Sequence, residues 1–120
     1  MLPRQSRLTS PSDFARTTKS GIRVTSQNFV GYLYIQPAAD FSARAGLIIG
    51  KSVGGSVYRH RLSRQVRHAI APHVAKLPHG SLLVIRAIKG SDSVNVISEI
   101  TETINSLIKR SEKFLAAGAQ

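Results

Sequence analysis

The chain has 120 residues, 42% of them hydrophobic, which is enough for the core of one compact domain and excludes global disorder. It contains no cysteine, so disulfides, thiolate metal sites and a cysteine nucleophile are excluded, and no run of about 20 apolar residues is present to span a membrane. Lys and Arg number 17 against 6 Asp and Glu, a formal charge of +11, which favours a polyanionic partner: nucleic acid first, an anionic membrane second.

Residues 1–9 read as an extended basic arm with no apolar stretch of the kind a secretory signal needs, so a cytoplasmic location is expected. Residues 10–115 read as a single domain, and residues 116–120 as a frayed tail. Within the domain, Ser10-Pro11-Ser12-Asp13 is a helix-start signal: Ser10 suits the cap, Pro11 the first helical position, and Asp13 the third position of a capping box. The helix is expected over 11–19, ending near Gly21. Residues 27–36 alternate as a strand, with Phe29, Gly31, Leu33 and Ile35 on one face and Val30, Tyr32 and Tyr34 on the other. Pro37 to Ser42 is a turn, and residues 44–50 form a second strand centred on Leu47, Ile48 and Ile49. Gly50, Gly54 and Gly55 mark a glycine-rich connection into a helix over 57–71, capped by Ser56 and bent or ended by Pro72. A strand over 81–87 is apolar on both faces, which suits a central place in a sheet. A last helix over 96–115 carries the apolar stripe Ile97, Ile100, Ile104, Leu107 and Ile108. Helix, strand, strand, helix, strand, helix is the order of an α+β sandwich.

Charge is distributed unevenly along this plan. No carboxylate occurs from residue 41 to residue 91, a stretch that holds nine Lys and Arg and all four histidines. The density peaks in the central helix. At about 100° per residue, Tyr58, Leu62, Val66, Ala69 and Ile70 fall on one side, and His60, Arg61, Arg64, Arg67 and His68 on the other. Arg61, Arg64 and Arg67 are spaced three apart, where like charges repel by a few tenths of a kcal/mol, roughly, on an isolated helix. Solvated faces usually alternate in sign; this one does not, and phosphate contacts with counterion release outweigh the repulsion. Arg59 projects toward the edge of the apolar face, and Lys51 lies in the glycine-rich loop before the helix. That loop lacks the G-x-x-x-x-G-K-[ST] ending of a nucleotide-binding loop.

Protein-borne chemistry is weakly supported. His60 and His68 share the basic face with no acid near them in sequence, and Asp40 and Asp92 at strand ends make a poor metal pair. No catalytic residue is assigned. Phe14, Phe29, Tyr32 and Tyr34 are aromatics placed to stack unpaired bases or to fill the core.

These residues resemble the protein subunits of bacterial ribonuclease P. Leu2-Pro3, Arg7-Leu8, Asp13-Phe14 and Gly21 match the opening, and Asn28-Phe29-Val30 leads into Tyr32 as in the family. Arg44-Ala45-Gly46-Leu47, then Lys51, Val53, Gly54, Ser56-Val57, Arg59, Arg61, Arg64 and Arg67, match its signature helix. Four positions depart: His60 replaces the Asn of the Arg-Asn-Arg triplet, Ser63 a Lys, Gly55 an Asn, and Thr18 a second aromatic.

The resemblance implies a small, mostly antiparallel four-stranded sheet packed by three helices, like domain 2 of ribosomal protein S5, with a left-handed crossover. It implies an auxiliary subunit of an endoribonuclease whose catalytic RNA removes the 5′ leader of precursor tRNA with Mg2+ held mainly by RNA, one protein per catalytic RNA. Lys51, Arg59, His60, Arg61, Arg64, Arg67 and His68 would bind the catalytic RNA; Phe14, Arg16, Phe29, Tyr32 and Tyr34 would bind the leader. The competing reading is a basic ribosomal or other structural RNA-binding protein.

Overall fold

A computed structural model of the chain describes residues 4–36, 39–88 and 95–118, with side chains as far as Lys113. After a 3-10 turn at Arg4–Ser6 come α1 (Pro11–Ser20), β1 (Ile22–Thr25), β2 (Phe29–Ile35) and β3 (Ala43–Ile48). A second 3-10 turn at Lys51–Val53 leads to α2 (Ser56–Val74), β4 (Ser81–Ala87) and α3 (Val96–Gly118). The sheet has the order β1-β2-β4-β3, with β3 and β4 parallel and the other pairs antiparallel. The residue pattern alone omits β1. Lys89, Asp92 and the turn at residues 37–38 lie outside the described residues, as do residues 1–3 of the basic arm.

Strand register sorts the side chains into two layers. Phe29, Leu33, Ala45, Leu83 and Ile85 face an inner core closed by Leu62, Val66 and Ile70 of α2 and Ile100, Ile104 and Leu107 of α3. Val30, Tyr32, Leu82 and Val84 face the other way and pack with Leu8 and Phe14. Both faces of β4 are buried up to Ile85, which explains its unbroken apolar run. At Gly31, a Cβ would stand 2.7 Å from Thr103 Cγ2, so α3 lies directly on the strand there. At Gly46 a Cβ would stand 2.5 Å from Phe14 Cζ, so the Phe14 ring rests on β3 and sets the height of α1 above the sheet.

The helix ends depart from expectation for local reasons. Ser10 occupies the cap position, but its hydroxyl pairs with Ser12 Oγ at 2.9 Å and no side-chain cap bond forms. Gly21 ends α1 in an extended conformation, its N–H donating to Thr17 O at 2.9 Å. Glycine is required there because a Cβ would overlap that same carbonyl oxygen. The cap of α2 is Gly55, and Ser56 is its first residue. Pro72 lies inside α2, which continues to Val74 because Ile70 and His73, both buried, hold the last turn down. His73 Nε2 lies 3.4 Å from Thr101 Oγ1 of α3, while Nδ1 has no partner among the described residues. Burial, then the charge of Lys76, lowers the His73 pKa and so favours the neutral ring. Helix α3 runs through Gly118, past the expected start of the tail.

Both edges of the sheet are touched by other parts of the chain. Leu8 N donates to Ala45 O at 2.9 Å, in a parallel bridge between Arg7 and β3. On the opposite edge, Arg110 Nη1 of α3 donates to Arg23 O of β1 at 3.0 Å.

One carboxylate joins the layers. Glu99 of α3 accepts hydrogen bonds from Asn28 N (2.6 Å), Asn28 Nδ2 (2.8 Å) and Ser26 Oγ in the β1–β2 turn. Burial pushes its pKa up; the hydrogen bonds from Asn28 and Ser26 outweigh that and hold it below the usual value. A carboxylate lowered in the folded state stabilises the fold fully above its unfolded pKa of 4.5, and the contribution is lost as pH falls through the folded value. Glu99→Gln is therefore expected to cost about 1–3 kcal/mol near neutral pH. It should also remove part of the acid sensitivity below pH 4.5, as read by urea unfolding across pH. An unchanged acid limb would show that Glu99 does not set it.

Candidate RNA interface

Helix α2 buries Leu62, Val66, Ala69 and Ile70 and exposes His60, Arg61, Arg64, Arg67 and His68, the division its sequence period prescribes. Among the described residues no carboxylate pairs with Arg61, Arg64 or Arg67, and none of the three makes an internal hydrogen bond. None of the described residues supplies their counter-charge. Arg59 is tied back instead. It is half-buried, and its Nε donates to Gly54 O at 3.1 Å, which fixes the loop onto the first turn of the helix. Tyr58 packs on Gly54 from the other side: a Cβ there would meet the ring at 2.6 Å. Lys51 is exposed just before this loop.

Two concavities flank the basic stripe. One of about 400 Å³ lies between α2 and the β3 end, with Leu47, Ile49, Arg59, His60 and Arg67 among its walls. The other, about 300 Å³, is lined among the described residues by His60, Arg64, Arg67 and His68. His60 and Arg67 belong to both. The histidine that departs from the Arg-Asn-Arg triplet thus stands at the ridge between two cationic hollows.

A second surface lies on the outer face of the sheet, beside α1. Register places Val30, Arg86 and Ile48 in one row across it, and Arg23, Tyr32, Val84 and Gly46 in the next. Phe14 and Tyr34 are half-buried there, and Arg16 is exposed on α1. Tyr32 is 6% exposed and serves mainly as packing under the helix. Phe29 does not belong to this surface. It is 0% exposed in the inner core, on the opposite face, and cannot touch a leader without unfolding the sheet. Sequence reasoning missed Arg23 and Arg86, both exposed. Alternation along β4 would have found the second, since residue 86 shares the parity of Leu82 and Val84. Arg44 is partly sequestered over the Phe41 ring at 4.3 Å.

Among the described residues no group of three His, Cys, Asp or Glu could hold a metal ion. No helix of the described residues is long and apolar enough to cross a membrane.

Residues 2–112 match the family model described as Ribonuclease P. The ribonuclease P protein component of Mycobacteroides abscessus is 37% identical over 122 residues, covering 93% of this chain and 94% of that protein. The chain belongs to the ribonuclease P protein family. It is a protein subunit of that ribonucleoprotein, which acts on precursor tRNA and in which RNA performs the catalysis, and the ribosomal alternative is set aside. The Streptomyces avermitilis component is 32% identical over 127 residues and is matched end to end. In fold, the chain resembles the RNase P protein of Staphylococcus aureus, with a TM-score of 0.71 at 21% identity over 88% of this chain and 94% of that one. The protein from Thermotoga maritima gives 0.68 at 23% identity over 86% and 96%. Those likenesses agree with the α+β architecture of three helices on a four-stranded mixed sheet.

Proposed function

We propose that this ribonuclease P protein divides two RNA contacts between two of its surfaces. The basic face of α2, with Lys51, Arg59, His60, Arg61, Arg64, Arg67 and His68, takes phosphates of the catalytic RNA. The outer face of the sheet, with Phe14, Arg16, Tyr32 and Tyr34 joined by Arg23 and Arg86, takes the single-stranded 5′ leader of precursor tRNA. The observation that carries this reading is the set of unopposed guanidinium groups on α2, which make no contact with any acid of the described chain. Arginine suits phosphate because its donors form a planar fork, and the binding gains counterion release. Aromatics beside cations suit an unpaired strand, which offers both base faces and phosphates.

The protein positions RNA and lowers the charge barrier between two polyanions; hydrolysis is left to the RNA. Magnesium is held mainly by the RNA partners, and among the described residues no group of three metal-ligating side chains forms a cage for a hard cation. One protein serves each catalytic RNA. Reconstitution with a ribonuclease P RNA at low magnesium tests the whole reading. Cleavage of precursor tRNA at the 5′ end is expected with protein and RNA together and not with protein alone. Cleavage by the protein free of RNA would overturn it.

Tyr34→Ala is expected to cost about 1–3 kcal/mol of affinity for precursor tRNA if a base stacks on the ring. Affinity for leaderless tRNA should be unchanged, measured in the presence of the catalytic RNA. Equal losses on both substrates would remove Tyr34 from the leader contact.

A further inference from the structure

Ile97 belongs by its helical period to the apolar stripe of α3, yet it is 63% exposed. It lines a third concavity, about 370 Å³, whose other walls among the described residues are Gln65 and His68 of α2 and Asn95 and Val96 at the start of α3. The volume is at the low end of the range for small-ligand sites, roughly 300–1,000 Å³. His68 is also a wall of the hollow made by His60, Arg64 and Arg67, so the two spaces adjoin. The side chains of Gln65 and His68 make no hydrogen bond or ion pair with the described residues. Asn95 Oδ1 accepts from Ser98 N at 3.1 Å, which anchors that amide and leaves its Nδ2 without a partner among the described residues.

We propose that this notch is a nucleobase pocket, holding one unstacked base of the RNA whose phosphates lie on Arg64 and Arg67. The inference rests on the reading of α2 as the catalytic-RNA face and gives that face a base contact. Three features of the notch match the chemistry of a base. The exposed Ile97 side chain offers an apolar surface to a base plane. The Gln65 amide has a donor and an acceptor side by side, the pairing that reads adenine through two adjacent polar atoms. Arg64 and Arg67, each next in sequence to a notch residue, would hold the flanking phosphates while the notch takes the base. A protein partner fits less well, because a protein interface needs a broad apolar centre and the notch offers only Val96, itself buried, and one exposed isoleucine.

The test uses the full chain bound to a ribonuclease P RNA transcript, with chemical probing of the Watson–Crick edges of all four bases and of purine N7, the edge a Gln amide reads. Wild-type protein is expected to protect at least one unpaired base that becomes reactive again with both Ile97→Ser and Gln65→Ala. Each variant should weaken RNA binding about tenfold, within the range for loss of one base contact. The salt slope should stay at the wild-type value, since no cation is removed. Identical base protection in wild type and both variants, with affinity changed less than about twofold, overturns the pocket. Arg64→Ala separates the two levels. A flattened salt slope with Arg64→Ala but no base change in the notch variants defeats the pocket alone. An unaltered slope with Arg64→Ala defeats the phosphate reading beneath it. Both notch residues are exposed, so circular dichroism of each variant is expected to match wild type.

Discussion

Replacing Arg61 and Arg64 together with alanine is expected to weaken binding to a ribonuclease P RNA about 100-fold and to flatten the slope of log K against log salt by up to about 2. The first figure follows from two charge-assisted hydrogen-bonding groups at about 1.5 kcal/mol each. The second follows from roughly 0.7–0.9 of a counterion released per phosphate. Folding is not the route of the loss, because both side chains are exposed and neither has a partner within the described chain. Removing them relieves like-charge repulsion along the helix, so stability should hold or rise by a few tenths of a kcal/mol, roughly. Substitution of the same two residues by lysine distinguishes charge from geometry. The salt slope should persist with lysine, while affinity falls part of the way because the planar fork is gone. Fluorescence anisotropy across a salt series reads both quantities. A double alanine variant with the wild-type slope would mean that those guanidinium groups meet no phosphate.

The second large effect concerns the fold. Gly80→Ala is expected to cost about 3 kcal/mol and to lower the melting temperature by about 10 °C. Gly80 has φ of +79°, a conformation costly to any residue with a Cβ. A Cβ there would overlap the Gln36 carbonyl oxygen, which is backbone and cannot rotate aside. The residue is also a junction. Its N–H is shared between Phe41 O (3.0 Å) and Ser42 O (2.8 Å), and its carbonyl accepts from Gln36 N at 2.8 Å. It therefore ties the end of β2 to the start of β3 at the point where β4 enters between them. Differential scanning calorimetry measures the loss. A melting temperature within about 2 °C of wild type would show that the turn relaxes without strain.

The central helix was legible because its two signals, a 3.6-residue apolar period and a one-signed polar face, are both local. The alternation from Phe29 to Ile35 likewise divided β2 correctly between its faces. Which layer would cover each face was not local information. Phe29 and Tyr34 look alike in sequence as aromatic strand residues, and only the docking of α2 and α3 on one side makes the first pure core. Strand β1 escaped because four residues, Ile22 to Thr25, are too few to show a period directly after a helix. Ile97 fits the wheel of α3 but lies in its first turn, where the neighbouring layer does not reach over it. The Glu99 clasp on Asn28 spans 71 positions and had no sequence signal at all.

The parallel bridge of Arg7 to Ala45 and the reach of Arg110 to Arg23 O have a colloidal consequence. An open sheet has two rims that invite strands from other molecules, and this one has an occupant at each. Where the β1 rim is bare, Arg23 adds a charge that discourages docking. A protein with so few acids of its own can thus accumulate ahead of its nucleic acid without zipping onto its neighbours.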